Sequence, residues 1–178
     1  MTNRFISADA NKCIGCKTCE IACVMSHTGD IAINAEIFFP RLHVIKGMAI
    51  TTPVTCKQCD NAPCANACPT NAIIRKANSI QVIQERCIGC KTCVIACPFG
   101  AMNVVTQKQE ADPKTGIESY QTKALKCDLC IDNPNGPACV SVCPTKALTL
   151  VEPRTVDKMI QEKQKRTALD EMNIFVQL

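Results

Sequence analysis

The chain has 178 residues and a formal charge of +4, and it is 47% hydrophobic but only 3% aromatic, with no Trp. That length allows one compact domain or two small ones, and so few large side chains leave little bulk for a core built by burial alone. No apolar run approaches the roughly 18 residues that a membrane span needs. The opening stretch MTNRFISADANKC has neither an apolar signal region nor twin arginines, so the expected compartment is the cytoplasm. Sixteen cysteines then read as free thiols acting as ligands, since a disulfide framework needs an oxidising compartment.

In chain order, the first cysteine motif is Cys13, Cys16, Cys19 and Cys23, spaced C-x2-C-x2-C-x3-C. RLHVIK and MAITTPV follow it and predict a hairpin around Lys46-Gly47. The second motif, Cys56, Cys59, Cys64 and Cys68, lengthens the middle gap and opens CPTNAI. Proline there ends the helical turn, and IRKANSIQVIQ predicts a hairpin around Ala77-Asn78-Ser79. The third motif, Cys87, Cys90, Cys93 and Cys97, repeats the CIGCKTC of the first and opens CPFGAM. The turn cluster Asp112-Pro113-Lys114-Thr115-Gly116 beyond it predicts a longer hairpin. The fourth motif is Cys127, Cys130, Cys139 and Cys143, opening CPTKAL. Only the first motif has Val24 where the others have proline, so Cys23 is expected to lead into a connection rather than into a strand. The tail TVDKMIQEKQKRTALDEMNIFVQL reads as a helix with Thr155 as N-cap. Val156, Met159, Ile160, Ala168, Leu169 and Met172 form a broken apolar stripe, which either packs back on the domain or docks on a partner or a second copy.

Three cysteines on a tight loop can wrap one corner of an iron–sulfur cubane, and the fourth follows one helical turn later. In two-cluster ferredoxins that fourth cysteine ligates the other cluster. Zinc uses paired C-x2-C and fits this triple-plus-one repeat poorly, so four [4Fe–4S] clusters held by all sixteen cysteines are expected. Each cubane with four thiolates carries about −2, which brings the loaded chain to about −4. The pI of 8.3 therefore gives no reason to expect a nucleic-acid surface.

From Cys23 to Cys56, Cys68 to Cys87 and Cys97 to Cys127 the intervals are 33, 19 and 30 residues. The short middle interval suits a compact two-cluster unit. The expected class is α+β, with two nested two-cluster ferredoxin-like modules built from short helices and β-hairpins. The inner module is 56–97, the outer one is 1–55 with 98–152, and a helical tail occupies 153–178. Catalytic residues are not expected, for there is no nucleotide-binding glycine loop, no H-E-x-x-H and no nucleophile with an evident base. His43 alternates with Leu42 and Val44 and reads as structural or exposed. His27, four residues after Cys23, is either structural or tunes a nearby cluster. Lys17, Lys57, Lys91 and Lys126 stand beside cysteines; solvated charge is the simple reading, and adjustment of potentials or docking the sharper one.

With these motifs in hand, residues 1 to about 152 resemble the four-cluster ferredoxin-like electron-transfer subunits that accompany molybdenum or tungsten oxidoreductases. Formate dehydrogenase, formate hydrogenlyase and the hydrogen-dependent carbon dioxide reductases contain subunits of this type. The resemblance rests on RFISADANKCIGCKTCEIAC, PRLHVIKG, CKQCDNAPCANACP, RCIGCKTCVIACPFGAM, KCDLC and GPACVSVCPTKAL. It implies that Cys13, Cys16, Cys19 and Cys143 hold one cluster, and Cys127, Cys130, Cys139 and Cys23 its neighbour. It gives the inner pair to Cys56, Cys59, Cys64 and Cys97, and to Cys87, Cys90, Cys93 and Cys68. It further implies a non-catalytic relay between a molybdenum or tungsten formate dehydrogenase subunit and a hydrogenase or related iron–sulfur subunit. The alternative within the same resemblance is an accessory or maturation protein for those enzymes. Many membrane-linked relatives end in a transmembrane helix; this tail is too polar for one, which leaves self-assembly through the helix as a further expectation.

Overall fold

Strand β1 (Phe5–Ala8) pairs antiparallel with β8 (Leu148–Val151), so that Phe5 faces Val151 and Ala8 faces Leu148. The sequence reading did not anticipate β1, and its pairing ties the N-terminus to the segment just after the fourth motif. The structure is a computed structural model that describes residues 3–29, 34–109, 116 and 118–176, with side chains of the last helix to 169. Three further two-stranded antiparallel sheets are hairpins between neighbours in sequence. They pair β2 (His43–Lys46) with β3 (Thr51–Val54), β4 (Ile73–Lys76) with β5 (Ser79–Val82), and β6 (Asn103–Lys108) with β7 (Tyr120–Leu125).

The first two hairpins turn where expected. Gly47 N donates to Ile50 O at 2.9 Å. Ala77 and Asn78 have φ of 49° and 56°, the left-handed pair that a two-residue hairpin loop requires. Of the third turn, Asp112-Pro113-Lys114-Thr115 lies outside the described residues. The strands that follow CPTNAI, CPFGAM and CPTKAL are β4, β6 and β8.

Helices α1 (Thr18–Thr28), α2 (Pro63–Asn66), α3 (Thr92–Ala96) and α4 (Ala138–Ser141) each carry the third cysteine of a motif. Pro69, Pro98 and Pro144 follow the fourth cysteines beyond α2, α3 and α4, and proline cannot continue a helix. Val24 can continue it, so α1 runs past Cys23 and ends at Gly29, whose φ is 74° and whose N–H donates to Met25 O. The absent proline therefore adds a turn of helix before the connection begins. α1 packs against α4 and α2 against α3, which joins motif one to motif four and motif two to motif three.

Two cores result. One joins Ile6, Leu42, Val44, Leu129 and Leu148 with Cys19, Cys23, Cys56, Cys127 and Cys139. The other joins Ala62, Ile73, Ile80, Met102 and Ala124 with Cys64 and Cys93.

The last helix, α5 (Pro153–Val176), starts three residues earlier than a Thr155 N-cap would place it. Glu152 O accepts from Thr155 N at 2.9 Å and from Val156 N at 3.2 Å. Glu152 is thus the capping residue and Thr155 lies within the first turn. Pro153 suits the first helical position because its missing N–H would be unpaired there anyway. Side chains from 157 to 169 are exposed, with Met159 at 49%, Ile160 at 47% and Leu169 at 59%. This stretch does not pack on its own domain. Among the described residues no helix is long and apolar enough to cross a membrane.

Candidate metal centres

Each C-x2-C loop turns on a left-handed residue immediately before its second cysteine. These are Gly15 (φ 70°), Gln58 (50°), Gly89 (69°) and Leu129 (65°). Such a residue swings successive backbone N–H groups toward one side and forms a concavity that favours anions. The glycines also admit close neighbours: a Cβ on Gly15 would stand 2.8 Å from Thr51 Cγ2, and one on Gly89 would collide with Thr122. Gln58 and Leu129 give no such signal in the sequence.

Three small cavities are each lined by four cysteines. Cys13, Cys16, Cys19 and Cys143 line one, with Val44, Pro53 and Leu148. Cys68, Cys87, Cys90 and Cys93 line another. Cys56, Cys59, Cys64 and Cys97 line a third, closed by Ile80 and Met102. The equal thiol count points to one kind of occupant. Of the remaining four cysteines, Cys23, Cys127 and Cys139 are buried together in the first core and Cys130 is half-buried. Burial raises the Cys139 thiol well above its usual range, and its neighbours Cys127, Cys23 and Cys130 raise it further.

The donor chemistry fits an iron–sulfur group. All sixteen thiols are free, and each cavity offers four soft sulfur donors with no imidazole or carboxylate among its lining residues. Burial pushes Cys19 and Cys64 up to about 11 and Cys127 up to about 12. Thiolates in such surroundings need a bound cation, which a metal cluster supplies. Hydrogen-bond donors stand ready for the sulfurs. Ala72 N donates to Cys68 Sγ at 3.3 Å, Ala147 N to Cys143 Sγ at 3.2 Å and Arg41 N to Cys23 Sγ at 3.4 Å. The hydroxyls of Thr18 and Thr92 donate to Cys16 and Cys90 at 3.3 and 3.4 Å and hold those exposed thiols down.

His27 lies beside one of these groups. Its Nδ1 donates to Cys23 O at 2.7 Å and its Nε2 to Asp128 Oδ1 at 3.0 Å. Asp128 also accepts from Arg41 and, at 3.0 Å, from Cys130 N. Burial works against the imidazolium, but the bond to Asp128 and the contact of Nδ1 with the Cys23 sulfur at 3.8 Å outweigh it and push His27 up to about 10. Burial likewise opposes the Asp128 carboxylate, yet His27 and Arg41 hold it well below the usual carboxylate range. The trio braces α1 against the fourth motif just behind Cys23 and Cys130. The sequence reading had no means of finding Asp128, which lies 101 residues from His27. His43 is exposed on β2, as are Lys17, Lys57 and Lys91 on their loops. Lys126 departs from the simple reading of solvated charge, for it is buried. Buried Glu20 was also missed; its Oε1 accepts from Val44 N at 2.6 Å.

Replacing Asp128 by Asn leaves two cations at this brace facing an amide. Because the groups are partly exposed, the expected loss is about 2 kcal/mol, below that of a fully buried pair. Anaerobic guanidinium unfolding of the cluster-loaded protein measures it, and an unchanged midpoint would remove the trio from the stabilising contacts.

The family described as "4Fe-4S dicluster domain" matches residues 48–153, and "4Fe-4S binding domain" matches residues 10–25. The chain belongs to the 4Fe–4S dicluster family. Among its relatives is "Electron transport protein HydN" of Escherichia coli (strain K12), 51% identical over 94% of this chain and 98% of that one. "Putative electron transport protein YsaA" of the same strain is 50% identical over 88% of this chain and 94% of its own length. "Hydrogenase-4 component A", also from that strain, is 37% identical over 93% and 91%. As a member of this 4Fe–4S family the protein is an electron-transfer protein with multiple [4Fe–4S] clusters.

Proposed function

We propose that the protein is a non-catalytic relay with four [4Fe–4S] sites, working between a molybdenum or tungsten formate dehydrogenase subunit and a hydrogenase or related iron–sulfur subunit. The observation that carries this reading is that each four-cysteine cavity takes three thiols from one motif and one from another. The proposed ligand sets are Cys13, Cys16, Cys19 with Cys143; Cys127, Cys130, Cys139 with Cys23; Cys56, Cys59, Cys64 with Cys97; and Cys87, Cys90, Cys93 with Cys68. When bound, [4Fe–4S] clusters take up and give back single electrons without proton transfer or bond exchange.

The chain's own part is to hold, space and shield. α1 carries Cys19 and Cys23 one turn apart, so one rigid segment fixes the separation of two sites. Cys19 and Cys56 pack in the same core as Cys23, Cys127 and Cys139. These neighbours support a linear order: the Cys13 site, the Cys127 site, the Cys56 site and the Cys87 site. The two middle sites contain the most buried thiols, whereas Cys16 and Cys90 at the two ends are exposed. Burial in the middle excludes water, and exposure at the ends lets partners approach. The pairing of α1 with α4 and of α2 with α3 supports the nesting of an inner module within an outer one.

Two relatives bear "electron transport protein" in their names and one "Hydrogenase-4 component", which supports the hydrogenase side. Sixteen unpaired thiols suit a reducing, cytoplasmic setting. α5 is proposed to contact another subunit or a second copy, because its stretch 157–169 is exposed and a helix without tertiary packing is marginal in water. Deleting 153–178 is expected to leave the iron content intact while dissociating the assembly in size-exclusion chromatography. Loss of iron with unchanged assembly size would show that the tail belongs to the core.

The relay is tested by mixing the chemically reduced protein with a purified hydrogenase or formate dehydrogenase partner under anaerobic stopped flow. Bleaching recovery that depends on the partner is expected, with no formate or hydrogen turnover by the protein alone. Turnover by the isolated, partner-free protein would overturn the proposal.

A further inference from the structure

Among the described residues Lys126 is the one Lys or Arg that is buried, at 2% exposure. Its Nζ donates to Ile80 O and, at 2.7 Å, to Cys127 O. No carboxylate stands within ion-pair distance of it among the described residues. A buried ammonium without a counter-charge is costly, so a negative partner is to be sought nearby.

The two residues that Lys126 holds belong to different sites. Ile80 closes the cavity of Cys56, Cys59, Cys64 and Cys97, while Cys127 belongs to the neighbouring group. Buried Gln58, between Cys56 and Cys59, clamps the same two residues. Its Nε2 donates to Cys127 O at 2.7 Å and its Oε1 accepts from Ile80 N at 2.7 Å. Asn3 Nδ2 donates to Gln58 O at 2.6 Å and fixes that loop in turn. The ammonium is therefore immobilised where the two middle sites meet. Its two acceptors lie on both sides of that junction, one on Ile80 at the cavity of Cys56, Cys59, Cys64 and Cys97 and one on Cys127 itself.

We propose that Lys126 is a fixed positive charge at the junction of the two middle sites and raises the reduction potential of both. The proposal rests on the four-site ligand reading above. Reduction of a site adds one electron and one unit of negative charge. A cation held beside that site in a medium of low dielectric stabilises the reduced form. The electron that leaves one middle site arrives at the other, and Lys126 faces both, so neither is left as an uphill step relative to the exposed ends. Lys126 touches no reacting atom. It is a positioning residue, and its effect is read in potentials.

The experiment is an anaerobic redox titration of the full, cluster-loaded chain followed by electron paramagnetic resonance. It compares wild type with Lys126→Met, Lys126→Gln, Lys126→Arg and the surface control Lys17→Met. Iron and sulfide are counted for each. In Lys126→Met and Lys126→Gln two couples move to lower potential by similar amounts, and the other two stay in place. Lys126→Arg keeps the wild-type values, and Lys17→Met moves none of the four comparably. The Gln variant retains a donor of similar reach, so the result does not depend on the Met variant folding. Unmoved couples in the loaded Gln variant would assign the role to hydrogen bonding and overturn the proposal. A shift spread over all four would overturn it as well. Failure of the four-site reading is seen separately, as fewer than four couples in the wild type.

Discussion

Stripping the iron from the anaerobic protein with a chelator abolishes its cooperative thermal transition. Half of the first core is thiol: Cys19, Cys23, Cys56, Cys127 and Cys139 pack with five aliphatic residues. The largest fully buried side chains are Ile6, Leu42, Gln58, Val24, Thr55 and Ser79, and half of these are polar. Among the described residues the four sheets have two strands each, and an isolated two-stranded hairpin is marginal in water. Three of the four short helices that carry cysteines span five residues or fewer, too short to persist alone. Without metal, the thiols must stay protonated or repel one another inside the core. The expected loss is the whole folding free energy, on the order of 10 kcal/mol. Far-UV circular dichroism and amide exchange record it as a broad, non-cooperative melt with little protection. An apo chain that kept a sharp transition would show that aliphatic packing suffices.

Replacing Cys23 by Ser is expected to remove the signature of the site proposed for it with Cys127, Cys130 and Cys139, though Cys23 lies in the first motif. Cys23 is buried in the core that also holds Cys127 and Cys139, which supports its proposed place with the fourth motif, and Cys19, one turn earlier in the same core, lines the cavity with Cys13, Cys16 and Cys143. The resonance and potential lost in Cys23→Ser should match those lost in Cys127→Ser. Cys13→Ser and Cys143→Ser should share a different loss. Iron should fall from about sixteen to about twelve per chain in each variant. If Cys23→Ser instead matched Cys13→Ser, the crossed ligation would be wrong.

Local signals carried most of the fold. The loops around Lys46-Gly47 and Ala77-Asn78 were legible because turn residues sit between alternating apolar positions, and Cys-Pro marked three helix ends. β1 was not legible. Phe5–Ala8 is short, and its partner lies at the far end of the chain, so nothing local signals the pairing. The missing proline is plain in the sequence, but its consequence lies in the structure, where α1 continues through Val24 to Thr28. Thr155 has the chemistry of a cap, yet Pro153 with its preset φ starts the helix earlier.

At the sites, the cysteines were evident from spacing, but the groups that surround them were not. Asp128 reads as an ordinary loop residue until His27 and Arg41 converge on it. Lys126 resembles Lys17, Lys57 and Lys91 in sequence, each being a lysine next to a cysteine. What separates it is burial between two loops brought together from distant parts of the chain, which only tertiary structure creates. Gln58 and Leu129 take the left-handed conformation that glycine signals at Gly15 and Gly89, and there the cluster-binding loop overrides residue preference.

The most direct test of the account is a count of iron, acid-labile sulfide and reducing equivalents on one anaerobic sample of the full chain. Four four-thiol sites predict about sixteen iron, about sixteen sulfide and about four electrons taken up per chain. Stoichiometric zinc with little sulfide and no electron uptake would contradict it.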